Sequence, residues 1–289
     1  MAEEVVDALL ALAAGDPDGA AAAARAAADA EPGARLPRLL AAHLGGPGRT
    51  GVYEEPRAFA EFISGGGNVA LYASTIGVLR AWHDRRGTAA LADIGCGDGR
   101  VTAGVIPPTC GRIDLVEPSA ALLDTATVRL TAAGVEAAVA VHETTLSGWL
   151  AGLPDGVTRD AAQSTFALHA VEPGERARAL ATLRDHVGAL AVVEFDVPAF
   201  ADRGPEHAAY AAERYEQGLA EYPDGSDVGP GFLVPVLVGQ FDRFRPRLTW
   251  EQPLVAWRAD LTASGWTVES TTLLHDYWWA PAHLIVARA

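Results

Sequence analysis

The sequence contains no lysine; all 22 of its basic residues are arginine. An enzyme that holds pyridoxal phosphate as a Schiff base needs a lysine amine, and a Walker-type loop needs one to reach the phosphates. Both classes are excluded. Cysteine is nearly as scarce, with only Cys96 and Cys110. Two cysteines without metal-type spacing make neither a disulfide framework nor a zinc knuckle, so both read as reduced packing residues. No apolar run reaches the roughly 18 residues that cross a bilayer, and no charged-then-apolar leader opens the chain. A soluble, cytoplasmic protein with no membrane partner is expected. Positive charge is also short, since 37 acids against 22 bases give a net charge of −15. A phosphate backbone calls for a basic footprint, so no nucleic-acid partner is expected.

What is present is concentrated in Leu91-Ala-Asp-Ile-Gly-Cys-Gly-Asp-Gly-Arg100. The run from Thr88 to Ile94 reads as a short buried strand that stops at glycine. Gly95, Gly97 and Gly99 then alternate, allowing positive φ and close approach of a ligand to the backbone. Val101 to Ile106 begins a helix whose free N–H groups face the same ligand. The dinucleotide fingerprint is G-x-G-x-x-G; here the spacing is G-x-G-x-G, with Asp93 before it and Asp98 inside it. Carboxylates there repel a pyrophosphate and suit a cationic, amino-acid-bearing ligand. A second strand, Arg112 to Glu117, ends in an acid about 20 residues downstream, the distance of a carboxylate that grips a ribose diol.

This order of acid, strand, glycine turn, helix, strand and acid resembles the class I S-adenosylmethionine-dependent methyltransferases of small molecules. The resemblance covers roughly residues 60 to 289. It implies an α/β, Rossmann-like fold with seven strands, mostly parallel, the last antiparallel. S-adenosylmethionine is the implied cofactor, held by Asp93, Gly95, Cys96, Gly97, Gly99, Glu117 and Pro118. Glu143 and Thr144 follow the third strand, Ala137 to His142, where the family places a residue near the adenine. Ser164 lies in Ala162-Gln-Ser-Thr-Phe-Ala-Leu-His169, similar to the family's fourth-strand motif, in which a Ser or Thr borders the cofactor. Gly188 to Asp196 is the fifth strand, and Gly265 to Leu274 with Ala282 to Arg288 form a closing hairpin.

Two segments are added to that core. Residues 1–58 are an alanine-rich helical segment that breaks at Gly45-Gly-Pro-Gly48. It is expected to cover the cofactor site, to join two copies of the chain as a homodimer, or to stand as a solvated appendage. Residues 197–247, within the 59–289 core, are an insertion with a helix near Glu206 to Tyr222. An insertion leaving the fifth strand overhangs the substrate position in open α/β sheets, so it is read as a substrate lid. Gly65-Gly-Gly-Asn68 reads as a mobile joint that closes over the cofactor, with Asn68 or Tyr72 touching it.

Methyl transfer needs an acceptor held in line and one proton managed. Candidates for the base stand at strand ends: His169, Glu194 or Asp196, and His275. Tyr215 and Arg214 on the insertion helix, and Trp278 beside His275-Asp276, are the candidate substrate contacts. A weaker resemblance, in Phe62-Ile-Ser-Gly-Gly-Gly-Asn68, is to bacterial α-keto acid C-methyltransferases of amino-acid metabolism. It implies an acceptor β-carbon and an enolate that needs a metal or an arginine. A divalent metal would then draw on His142, His169, Asp196 and His275, with Arg214 or Arg243 on the carboxylate. The alternative acceptor is a hydroxyl or amine of a specialised metabolite, with a His base and no metal. A non-catalytic S-adenosylmethionine-binding partner protein is the third reading.

Overall fold

The computed structural model describes residues 3–46, 56–154 and 156–289; Pro47 and Gly48 of the expected break lie outside them. In chain order the helices α1 (Glu3–Ala14), α2 (Pro17–Ala30), α3 (Arg35–Gly45), α4 (Pro56–Ser64) and α5 (Asn68–Arg86) come first. The alternating part follows as β1 (Ala90–Ile94), α6 (Arg100–Val105), β2 (Arg112–Glu117), α7 (Ala120–Ala132), β3 (Ala138–Glu143) and α8 (Leu146–Gly152). Next are β4 (Ala161–Thr165), α9 (Pro173–Leu183) and β5 (Ala189–Phe195), then α10 (Pro205–Ala220) and α11 (Val234–Phe241). The chain closes with α12 (Leu254–Ala263), β6 (Thr267–His275) and β7 (Ala282–Arg288).

These elements sort into two compact units. One comprises Met1–Val69, Pro198–Leu248 and Tyr277–Trp279; the other holds the remainder, including the sheet. The insertion therefore packs with the N-terminal helices, although about 180 residues separate them in sequence. The reason is visible at the start of α3. Ala34 offers no capping side chain, and Glu216 of α10 supplies one, accepting from the backbone N–H of Arg35 at 2.8 Å and of Leu36 at 2.6 Å. A carboxylate at a helix N-terminus satisfies orphan donors and meets the positive end of the helix dipole. The Arg35 guanidinium returns the contact, donating to the carbonyls of Leu219 and Tyr222.

The glycine joint has defined partners in the structure. Glu221 accepts from the Gly67 N–H at 2.8 Å, and a Cβ added at Gly66 would lie 3.0 Å from the Tyr222 ring, at a φ of +51°. The glycines let the chain lie flat on Glu221 and Tyr222. Asn68 is buried here as well, its amide donating to the Phe62 carbonyl at 3.0 Å and to the Tyr222 hydroxyl at 3.1 Å. These contacts seat the expected joint on Glu221 and Tyr222.

The second unit is a seven-stranded sheet in the order β3-β2-β1-β4-β5-β7-β6, parallel except for antiparallel β7. Its central strands are covered on both faces, which is why they read as continuous apolar runs and not as alternating ones. Leu91, Ile113, Leu115 and Val193 pack on one face with Leu79 of α5 and Val101 of α6. Ile94, Val116, Val192 and Ile285 pack on the other with Trp149 of α8, Leu180 of α9 and Trp257 of α12. Strand β4 ends at Thr165, although from sequence the strand that starts near Asp160 reads on through Thr165-Phe-Ala-Leu168. Phe166 takes a φ of 53°, which breaks the strand and turns the chain. Among the described residues, no single helix is long and apolar enough to cross a membrane.

Candidate functional site

The carboxyl ends of the parallel strands carry the chemistry-bearing residues, as expected for an open α/β sheet. The turn from β1 to α6 is held by the Gly95 N–H donating to the Val116 carbonyl at 2.8 Å. Gly97 has a φ of +54°, and a Cβ there would meet no described atom within 4 Å. At Gly97 the turn faces open space. At its rim Glu117 accepts from the Gly97 N–H at 3.3 Å and from the Ser119 N–H at 3.0 Å. Glu143 ends β3 in register with Glu117, and Pro118 is exposed beside it. Thr144 follows, its N–H donating to the His142 carbonyl at 2.9 Å.

Beneath the turn Asp93 is 1% exposed. Its Oδ2 accepts from the Thr102 hydroxyl at 2.5 Å and from the Gln163 amide at 2.8 Å, while Oδ1 has no hydrogen-bond partner among the described residues. Burial pushes the Asp93 carboxyl up to about 6, the two hydrogen bonds pull it back, and the charge of Glu117 adds to the rise. A carboxylate whose folded pKa lies above its unfolded one costs stability once ionised: the cost is absent below about pH 4 and complete above about pH 6. A cation bound at Oδ1 removes that cost. Affinity for a cationic ligand at this turn is therefore expected to weaken as pH falls through 6, by about tenfold per pH unit below it, in a calorimetric titration from pH 8 to 5.

Two other turn residues have partners or surroundings of their own. Asp98 does not face a ligand as a bare carboxylate; Arg129 of α7 sits 2.8 Å from its Oδ2, and its Oδ1 accepts from the Arg100 N–H at 3.1 Å. Cys96 is buried, and burial together with Asp93 and Glu117 raises its thiol far above the ordinary range, so it stays a protonated packing residue. Ser164 is buried in β4 and its hydroxyl donates to the Ile94 carbonyl at 3.0 Å, tying β4 to β1.

His169 is delivered by the turn that Phe166 starts. Its Nδ1 lies 2.8 Å from Oε2 of Glu194, and its own N–H donates to Oε1 of the same carboxylate at 3.1 Å. Glu194 is 2% exposed, on the last part of β5. The turn is clamped from below by Arg176, which donates to the carbonyls of Leu168 and Val171, and from the side by the Trp250 N–H on the His169 carbonyl at 2.7 Å. Burial alone would lower the His169 pKa; the charge and hydrogen bond of Glu194, with Glu251 adding, outweigh it and raise the value to about 9. The turn also lies against the glycine loop, since a Cβ on Gly95 would come within 2.3 Å of the Ala167 methyl. Phe166 stacks on Phe195 at 4.7 Å and meets the edge of Tyr72 at 6.2 Å, with Arg100 over the Tyr72 ring.

The remaining candidates are dispersed. Asp196 lies past the end of β5, and its carboxylate accepts from the Leu254 N–H at 2.7 Å, capping α12. His142 pairs with buried Asp114, which Arg159 and Arg112 also hold. His275 ends β6 opposite Ala282, at a register shift. Among the described residues no group of three or more His, Cys, Asp or Glu is placed to hold a metal ion, so the expected set of His142, His169, Asp196 and His275 is not brought together. In the helical unit the three substrate candidates do meet. The Tyr215 ring contacts that of Trp278 at 5.5 Å, and Arg214 reaches the Trp278 carbonyl at 3.5 Å while lying over Tyr210. Arg243 lies in the same unit, donating to the Ala14 carbonyl.

No protein-family model matches the chain, and no curated protein matches its sequence. Solved structures do match. Mitomycin 7-O-methyltransferase superposes with a TM-score of 0.52 at 19% identity, over 95% of this chain and 71% of that one. Magnesium protoporphyrin IX methyltransferase of Synechocystis PCC 6803, solved with bound S-adenosylmethionine, gives 0.52 at 12% identity, over 82% and 92%. A Nostoc punctiforme PCC 73102 protein named as a candidate O-methyltransferase gives 0.52 at 14% identity, and the present chain spans 61% of its length. The chain has the fold of the class I S-adenosylmethionine-dependent methyltransferases. Within that fold the residues present fit the cofactor. Gly97 leaves room at the turn, Asp93 keeps an oxygen without a partner, and Glu117 stands at the end of β2 with lone pairs to spare for a diol.

Sequence reasoning alone did not find Gln163, His83, Thr102, Phe166 or Arg176. A glutamine in the middle of a buried strand and a histidine on a core-facing helix were the available signals. Their meaning depends on partners distant in sequence.

Proposed function

We propose that the protein transfers a methyl group from S-adenosylmethionine to a hydroxyl or amine of a small molecule, with His169 as the base. The observation that carries this reading is the His169–Glu194 pair at the carboxyl ends of β4 and β5, its turn packed against the glycine loop. Bound at that loop, the cofactor supplies an electrophilic methyl group on a sulfonium. Glu117 would hold the ribose diol, and Asp93 the cationic amino-acid end. Glu194 fixes His169 through Nδ1, which leaves Nε2 as the nitrogen that takes the acceptor's proton, and its charge stabilises the imidazolium that results. Phe166, Phe195 and Tyr72 supply an apolar aromatic surround in the same unit, suited to a partly apolar acceptor.

The structural neighbours named for O-methylation support an oxygen acceptor. The enolate route asks for a metal or an arginine on the enolate oxygen. The candidate metal ligands are not brought together among the described residues, and none of the structural neighbours named above is named for C-methylation, so the β-carbon of an α-keto acid is the less supported acceptor. The test is transfer of labelled methyl from S-adenosylmethionine to a panel of phenols, alcohols, amines and α-keto acids. Label on oxygen or nitrogen is the expected result. Label on carbon, lost on chelation, would overturn the acceptor assignment.

A further inference from the structure

A line of polar side chains runs through the core beneath the glycine turn, between the face covered by α5 and α6 and the sheet itself. Thr88, His83, Gln163 and Thr102 are fully buried, and Asp93 nearly so. Thr88 Oγ1 lies 3.1 Å from His83 Nδ1, and His83 Nε2 lies 2.9 Å from Gln163 Oε1. Gln163 Nε2 is 2.8 Å from Asp93 Oδ2, the oxygen that also accepts from Thr102. Five polar groups in a core are costly unless each is satisfied, so the line exists for a reason other than packing.

The carboxylate sets the direction of every proton along it. An ionised Asp93 only accepts, so Gln163 presents its NH2 to Asp93 and turns its oxygen to His83. His83 must then carry its proton on Nε2, which leaves Nδ1 to accept from the Thr88 hydroxyl. Burial lowers the His83 pKa, in keeping with a neutral ring of fixed tautomer. Both donors converge on Oδ2. Oδ1 is left with no partner among the described residues.

We propose that His83 and Gln163 are positioning residues for the cofactor's amino-acid end: they lock the Asp93 carboxylate through Oδ2 and so reserve Oδ1 for the ligand's ammonium group. The inference rests on the proposed binding of S-adenosylmethionine at this turn. Without Gln163 the carboxylate can rotate and share both oxygens with Thr102. Without His83 the Gln163 amide loses the partner that orients it. Neither residue touches the nucleoside part of the cofactor in this scheme.

The test compares two ligands in calorimetric titration. S-adenosylhomocysteine carries the amino-acid end, and 5′-methylthioadenosine has the same nucleoside without it. His83→Leu and Gln163→Leu are expected to raise the Kd for S-adenosylhomocysteine about tenfold, the loss of one charge-assisted hydrogen bond, and to leave that for methylthioadenosine within twofold. In steady state the KM for S-adenosylmethionine rises while kcat holds. His83→Gln, whose amide can still donate to Gln163, is expected to restore affinity to within threefold of the parent, and it carries the test if a leucine variant fails to fold. Equal loss for both ligands, or no loss for either, overturns the inference while the cofactor reading stands. Failure of the parent protein to bind either ligand overturns that reading and the inference with it.

Discussion

His169→Ala is expected to lower kcat by about 10²- to 10⁴-fold, with the KM for S-adenosylmethionine little changed. That is the usual contribution of a positioned general base, and the imidazole is held for the role on three sides. Glu194 grips the ring and the backbone, Arg176 grips the carbonyls on either side, and Trp250 holds the His169 carbonyl. The pH profile carries the sharper signature. With a pKa raised to about 9 by Glu194, His169 is cationic at neutral pH and becomes a base as pH rises. The rate should climb to a limb near pH 9 in the parent. In Glu194→Gln the limb should fall toward the ordinary histidine value of about 6.5, and the maximal rate should fall as the imidazolium loses its counter-charge. The sign for stability follows from the same shift. A histidine raised above its unfolded pKa stabilises the fold below about pH 6.5, and that stabilisation is lost as pH rises through 9. A profile without a limb, or an unchanged rate in His169→Ala, would remove the histidine from the mechanism.

Gly97→Val is expected to weaken S-adenosylmethionine binding by about 10- to 100-fold or more while leaving the chain folded. The Cβ of that side chain would enter space that no described atom beyond the two neighbouring residues occupies within 4 Å, so the protein leaves room for the first carbon of the substitution. The cost to the fold is the left-handed backbone at Gly97, roughly 1–2 kcal/mol for a residue with a Cβ. The cost to the ligand is steric, because the glycine turn is where the backbone must come close to it. Thermal unfolding without ligand should therefore shift by only a few degrees, while the stabilisation that excess S-adenosylhomocysteine gives the parent should vanish. Retained ligand stabilisation in Gly97→Val would place the ligand elsewhere.

How much of this was legible depended on how far apart the partners lie. The strand, glycine turn, helix and second acid fall within about 30 residues, and Asp93, Gly97 and Glu117 stand where the local pattern puts them. His169 was legible as a residue at a strand end, and the glycine loop beside it was not. Choosing between Glu194 and Asp196 needed the structure, since the first lies in β5 facing His169 and the second has left the strand to cap α12. The three glycines at 65–67 looked like a joint because the residues they lie on, Glu221 and Tyr222, are some 155 residues away. Asp98 looked free because Arg129 belongs to the next helix. Strand β4 was drawn too long because nothing local shows that Phe166 adopts a left-handed backbone. The sheet is as the resemblance implied, seven-stranded and parallel except for antiparallel β7.

The measurement that bears most directly on the central claim is calorimetric titration of the parent protein with S-adenosylhomocysteine, alongside Gly97→Val and Glu117→Ala. The expected result is saturable one-site binding by the parent, weakened at least tenfold in both variants. Binding that is absent from the parent, or equal in all three proteins, would contradict it.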